Sequence, residues 1–112
     1  MEFRKYQELS TRTMNENMSF ELANYCMGLA GESGEVVDYL KKIVFHGHDL
    51  KKKKIVEELG DVLWYVSAIA SKLGIELDHV AEVNIEKLKN RYPNGFSKEA
   101  SINRNERLSQ QR

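Results

Sequence analysis

The chain is predicted to be all-α, and three observations carry that prediction. Proline occurs once in 112 residues, at Pro93, so the interior lacks the strongest helix breaker. The period-2 alternation rich in β-branched residues that marks a half-buried strand is absent. Apolar residues recur instead at helical spacing. Ile55, Leu59, Val62, Val66, Ile69 and Leu73 step by 4, 3, 4, 3, 4 and draw one stripe, as do Leu22, Leu29, Val36, Leu40 and Ile43 upstream.

Four helices follow in order, over residues 2–13, 19–46, 50–73 and 76–91. The first gives way to "TMNENMS" (Thr13 to Ser19), where Ser19 is the expected N-cap of the second. The second stops at "HGHD" (His46 to Asp49), with Gly47 near its end and Asp49 the expected N-cap of the third. "LGIE" (Leu73 to Glu76) separates the third from the fourth, and Pro93 with "NGF" closes the fourth. From Ser97 onward the apolar residues are only Ala100, Ile102 and Leu108. Residues 1–96 are therefore expected to form a single helical domain, and 97–112 a polar, mobile tail. Trp64 points nearly opposite the stripe of its helix at about 100° per residue. That position predicts a second buried surface, read here as a subunit interface.

Composition narrows the function classes. Apolar residues make up 41% and charged residues 30%, and the net charge is zero. No overall basic signal points to a nucleic acid polymer or a membrane surface. The basic run "LKKKK" (Leu50 to Lys54) reads as a solvated helix end. Cys26 is the only cysteine, which excludes an intrachain disulfide and a C-x-x-C metal site and fits a reducing compartment. No apolar run approaches the roughly 20 residues of a membrane span, and "MEFRKYQELS" lacks a signal-peptide core. The expectation is a cytoplasmic protein. A chain this short leaves much of its surface exposed, so oligomerisation is a natural way to complete the core.

The chemistry lies in an internal repeat. "ESGEVVDY" (Glu32 to Tyr39) aligns with "ELGDVLWY" (Glu58 to Tyr65) at an offset of 26, both reading Glu-x-Gly-acid-Val-apolar-x-Tyr. In each helix the two acids and the tyrosine fall to the same side of the stripe, and residues three apart are surface neighbours. The register sharpens the pairing. Positions 32 and 61 have a mean of 46.5, and so do 35 and 58, a point inside "HGHD". An antiparallel hairpin folded there sets Glu32 against Asp61 and Glu35 against Glu58. Four such carboxylates would repel one another and raise each other's pKa values unless a cation joined them. No basic residue lies inside either motif, and Lys42 is two turns from Glu35 on the same side. All-oxygen ligation suits Mg²⁺, or Mn²⁺ in its place, and Mg²⁺ so held also grips phosphate oxygens. Gly34 and Gly60, at equivalent repeat positions, are expected to permit close helix approach.

The pattern E-x-x-E (Glu32, Glu35), 22 residues, then E-x-x-D (Glu58, Asp61) resembles the MazG-type all-α nucleoside triphosphate pyrophosphohydrolases. "LAGESGEVVDYLKK", "EELGDVLWYV" and "NIEKLKNRYPNGF" are similar to that family's three blocks, and the likeness covers about residues 20–96. It implies a four-helix MazG-like fold around the antiparallel hairpin, assembling as a homodimer or homotetramer. It also implies hydrolysis of a nucleoside triphosphate to the monophosphate and pyrophosphate, in nucleotide-pool cleaning. Carried onto this sequence, Glu32, Glu35, Glu58 and Asp61 would hold Mg²⁺, with Glu35 chosen as general base. Asn84, Lys87 and Arg91 step by 3 and 4 on the fourth helix and, with Lys42, are candidates for phosphate or base. His46 and His48 read as solvated turn residues, and Tyr39 and Tyr65 either line the site or pack.

Two other classes compete. A noncatalytic helical interaction module would carry the same acids as surface salt bridges and would bind no Mg²⁺ or Mn²⁺. A redox di-iron bundle draws on a Glu-x-x-His pair from each of two helices, and the sequence holds one such pair, Glu76 with His79.

Overall fold

The hairpin is built by two long helices that the turn chemistry at Gly47 folds back on each other. The structure, a computed structural model, describes residues 1–15 and 19–103. Its elements are α1 (Phe3–Ser10), a single 3₁₀ turn (Thr11–Thr13), α2 (Glu21–His46), α3 (Lys52–Lys72), α4 (Leu77–Arg91) and α5 (Lys98–Ile102), and no strand occurs among the described residues. The chain divides into two units, Met1–Leu77 and Asp78–Arg112.

In the first unit α2 ends on Gly47 in the left-handed region, φ 73°, where a β-carbon would be disfavoured. The Gly47 N–H donates to the Lys42 carbonyl with the six-to-one spacing that reverses a chain after a helix, and the His48 N–H reaches the same carbonyl at 3.2 Å. Asp49 does not cap α3. The head of α3 is held from across the hairpin, the Lys51 N–H donating to the Tyr39 hydroxyl at 2.9 Å. Ser19 does not cap α2 either; the N-cap residue is Phe20, in the left-handed region at φ 58° without a side-chain cap bond.

The predicted register holds along the hairpin. Glu21 at the start of α2 pairs with Lys72 at the end of α3 at 2.5 Å, and a β-carbon on Gly28 would run into the Tyr65 ring. Positions 21 and 72, like 28 and 65, have the mean 46.5. Gly28 is thus the glycine that close approach requires. At Gly34 and Gly60 a β-carbon would meet open space, so within the chain they do not serve the close packing expected of them.

The small helix α1 lies along α3. Gln7 Nε2 donates to Ser71 Oγ at 3.0 Å and to the Ile75 carbonyl at 2.8 Å, and Gln7 Oε1 accepts the Leu77 N–H at 2.8 Å. Ser10 and Ser67 share a buried hydroxyl contact at 2.9 Å. Trp64 Nε1 donates to Thr13 Oγ1 at 2.7 Å, and its ring meets Tyr25 and Tyr65 edge-on at centroid distances of 5.8 and 5.0 Å. Part of the second surface predicted from Trp64 is thus covered inside the chain, by the 3₁₀ turn and α2, and the indole stays half-buried.

The core departs from the stripes. Tyr25, Ala68, Ala70 and Leu77 are buried, with Ser67 fully enclosed. Leu59 and Leu73 of the α3 stripe are more than half exposed. Periodicity finds the apolar side of a helix, but one hairpin and an eight-residue α1 have too little surface to cover it all.

In the second unit α4 runs to Arg91, and Gly95 takes φ 86° in the turn that follows. The stretch read as a polar tail from Ser97 opens with a short helix: Ser97 Oγ accepts the Ala100 N–H at 3.0 Å and starts α5. Residues 104–112 lie outside the described residues.

Candidate metal centre

The hairpin register brings Glu32 on α2 to Glu58 and Asp61 on α3. One carboxylate oxygen from each lies within 4.8 Å of the other two. Glu58 is buried, Glu32 half-buried and Asp61 exposed, so the group sits on a flank of the hairpin with one side open. Ligand oxygens 2.0–2.1 Å from a small divalent ion lie at most about 4.2 Å apart, a spacing these side chains reach by small rotations. The donor set is all oxygen, which fits Mg²⁺ or Mn²⁺ and not the nitrogen and sulfur preference of zinc.

Glu35 stands outside that three-oxygen group and is exposed. Its charge still reaches it. Burial first, then the Asp61, Glu58 and Glu35 carboxylates, hold the Glu32 carboxyl above its ordinary range. Glu32 thus meets both Glu58 and Asp61, where the predicted pairing matched it to Asp61 alone.

Two neighbours were not anticipated. Lys54, one turn before Glu58, bonds its Oε1 at 2.8 Å. The Lys-x-x-x-Glu spacing was legible in the sequence, but it was read only as part of a solvated lysine run. Tyr6 on α1 is half-buried, and its phenol is held above its ordinary value by burial and then by the Asp61 carboxylate. Only the docking of α1 brings that relation about, and no local signal announces it.

The other predicted residues lie as follows. Lys42 Nζ pairs with Asp38 at 3.0 Å, and Lys41 holds the same carboxylate at 3.1 Å. Those two lysines keep Asp38 below its ordinary carboxylate value. Asn84, Lys87 and Arg91 lie on α4, in the second unit. His46 and His48 are exposed, their rings 6.4 Å apart, and neither joins the carboxylate group. Tyr39 and Tyr65 are accounted for by the hairpin contacts given above.

The model of the MazG nucleotide pyrophosphohydrolase domain matches residues 20–96. The chain belongs to this family. The matched stretch of the MazG domain begins at the N-cap of α2 and carries Glu32, Glu35, Glu58 and Asp61; α1, with Tyr6 and Gln7, precedes it. The chain is also similar to the Gene 37 protein of Mycobacterium phage L5, at 34% identity over 87 residues, covering 74% of this chain and 76% of that protein. No solved structure matches the chain. No helix among the described residues of this MazG domain is long and apolar enough to cross a membrane.

Proposed function

We propose that this MazG domain is a Mg²⁺-dependent nucleoside triphosphate pyrophosphohydrolase that releases a nucleoside monophosphate and pyrophosphate, cleaning the nucleotide pool of the cytoplasm. The observation that carries the reading is the convergence of Glu32, Glu58 and Asp61 oxygens within 4.8 Å, from two helices of the matched family stretch. These three would hold the ion, with Glu35 beside them. A divalent ion bound there would shield phosphate charge and lower the pKa of a water. Glu35, exposed and outside the three-oxygen group, is the carboxylate left to take the proton of that water. Lys42, Asn84, Lys87 and Arg91 are assigned to phosphate or base on residue type and helical spacing alone.

Incubating the protein with a panel of ribo- and deoxyribonucleoside triphosphates and Mg²⁺, then separating the products, tests this directly. Monophosphate and pyrophosphate are expected. Diphosphate with inorganic phosphate, or no turnover across the panel, would overturn the reading. The noncatalytic module draws on the ion pairs at Glu58 and Asp38, and the same panel separates the two.

The proposed enzyme works as a homodimer or homotetramer. Met27, Val37, Val44 and Phe45 on α2 and Val56 on α3 are each more than 60% exposed, a large apolar content for the surface of a monomer. A second copy of this chain is the occupant, since the same stripes on both copies can interdigitate. Light scattering is expected to give at least twice the 13.0 kDa chain mass, and Val37→Asp with Val44→Asp to give the monomer. A monomeric wild-type protein at micromolar concentration would refute the assembly.

A further inference from the structure

Glu58 is the buried member of the carboxylate group, and Lys54 already occupies one of its oxygens. The placement of this lysine is not explained by helix stability. Lys54 stands in the first turn of α3, which holds no acidic residue, and a cation there opposes the helix dipole. Lysine before glutamate at four residues is also the less favourable order for such a pair. The lysine side chain is 50% exposed and that of Glu58 only 12%. A flexible ammonium therefore reaches in from the solvent side to a carboxylate that, with Glu32 and Asp61, needs a counter-ion. A divalent ion meeting all three oxygens competes for the same Glu58 lone pairs and brings twice the charge.

We propose that Lys54 is the resident counter-ion of the carboxylate group. A divalent ion must displace it from Glu58, and the freed ammonium then pairs with a phosphate oxygen of the nucleotide. This rests on the metal-dependent reading above. Two consequences follow. Lys54 weakens metal binding to the free protein, because each ion that enters must break the Lys54–Glu58 pair. The same residue strengthens nucleotide binding once the metal is in place.

The test is a titration with Mn²⁺ alone, followed by its magnetic resonance signal, on wild type, Lys54→Met, Lys54→Arg and Glu58→Gln, with circular dichroism to establish folding. Lys54→Met is expected to bind Mn²⁺ about two- to fivefold more tightly than wild type, and Lys54→Arg to return toward the wild-type affinity. At saturating Mn²⁺ the KM of Lys54→Met for the nucleotide is expected to rise by a similar factor. Unchanged or weaker Mn²⁺ binding by a folded Lys54→Met would overturn the counter-ion, and an unchanged KM would overturn the phosphate contact. Both results leave the metal site standing if wild type binds Mn²⁺ and Glu58→Gln does not. Absence of saturable Mn²⁺ binding by every folded protein would overturn the metal reading, and the counter-ion with it.

Discussion

Replacing Glu58 by glutamine is expected to reduce Mg²⁺-dependent turnover by at least about 10²-fold while leaving the helices folded. Glu58 is the buried member of the three-carboxylate group, and its oxygen lies within 4.8 Å of those of both Glu32 and Asp61. The amide keeps its shape but removes a charge from an ion that binds by charge. Loss of a residue that only supports a ligand costs metal sites roughly 10- to 100-fold, so loss of a ligand should exceed that. Initial rates over a Mg²⁺ titration read the effect, and wild-type rates at ordinary Mg²⁺ would remove Glu58 from the site. Stability should change with pH in a defined direction. Glu32 is held above its ordinary value in the folded chain, so the folded state keeps its proton to higher pH than the unfolded state does. Stability contributed by that proton is lost as pH rises through the raised value. Glu58→Gln removes one of the charges responsible. Its Tm relative to metal-free wild type should therefore move upward as pH rises through that window.

Gly28→Ala is expected to destabilise the hairpin, whereas Gly34→Ala should stabilise the single chain. Alanine gains up to about 1 kcal/mol over glycine in a helix interior. At Gly34 a β-carbon meets open space, and nothing within the chain offsets the gain. At Gly28 the β-carbon lies inside the Tyr65 ring, and that ring is packed on Trp64. Displacing it moves Trp64, which is bonded to Thr13. Overpacking of this kind costs about 1–3 kcal/mol, so the net change at Gly28 is a loss. Thermal melts of the two variants should shift in opposite directions, by several degrees per kcal/mol in a domain of this size. A Gly28→Ala protein as stable as wild type would show the Tyr65 contact to be soft. A loss at Gly34 that deepens with protein concentration would place that glycine against the second copy.

Most of the fold was legible because its determinants are local. Helical period, the absence of internal proline and the glycine at 47 all act within a few residues, and the three long helices α2, α3 and α4 follow from them. The hairpin register was legible too, since an antiparallel pair has one midpoint and the repeat named it. What escaped depends on contacts between elements. Asp49 loses the cap of α3 to Tyr39 because the tyrosine arrives from across the turn. Trp64 is satisfied by Thr13 and Tyr25, residues 51 and 39 positions away. The three-oxygen convergence followed from the register, but the separation of Glu35 from it did not. One residue of helical phase decides that, and a midpoint fixes height without fixing rotation.

The residues that interact electrostatically with Asp61 belong to different clocks. Glu32 and Glu58 stand on helices of 26 and 21 residues that support each other along the hairpin. Tyr6 stands on α1, eight residues long and too short to persist as a helix by itself. Its grip is the set of side-chain hydrogen bonds made by Gln7 and Ser10, with the Trp64 indole donating to Thr13 in the turn that follows. When those bonds let go, α1 can unfold with the hairpin intact, a local opening whose free energy lies below that of global unfolding. Amide exchange in α1 should then run ahead of exchange in α2 and α3, and the phenol near Asp61 would come and go while the carboxylates stay in register.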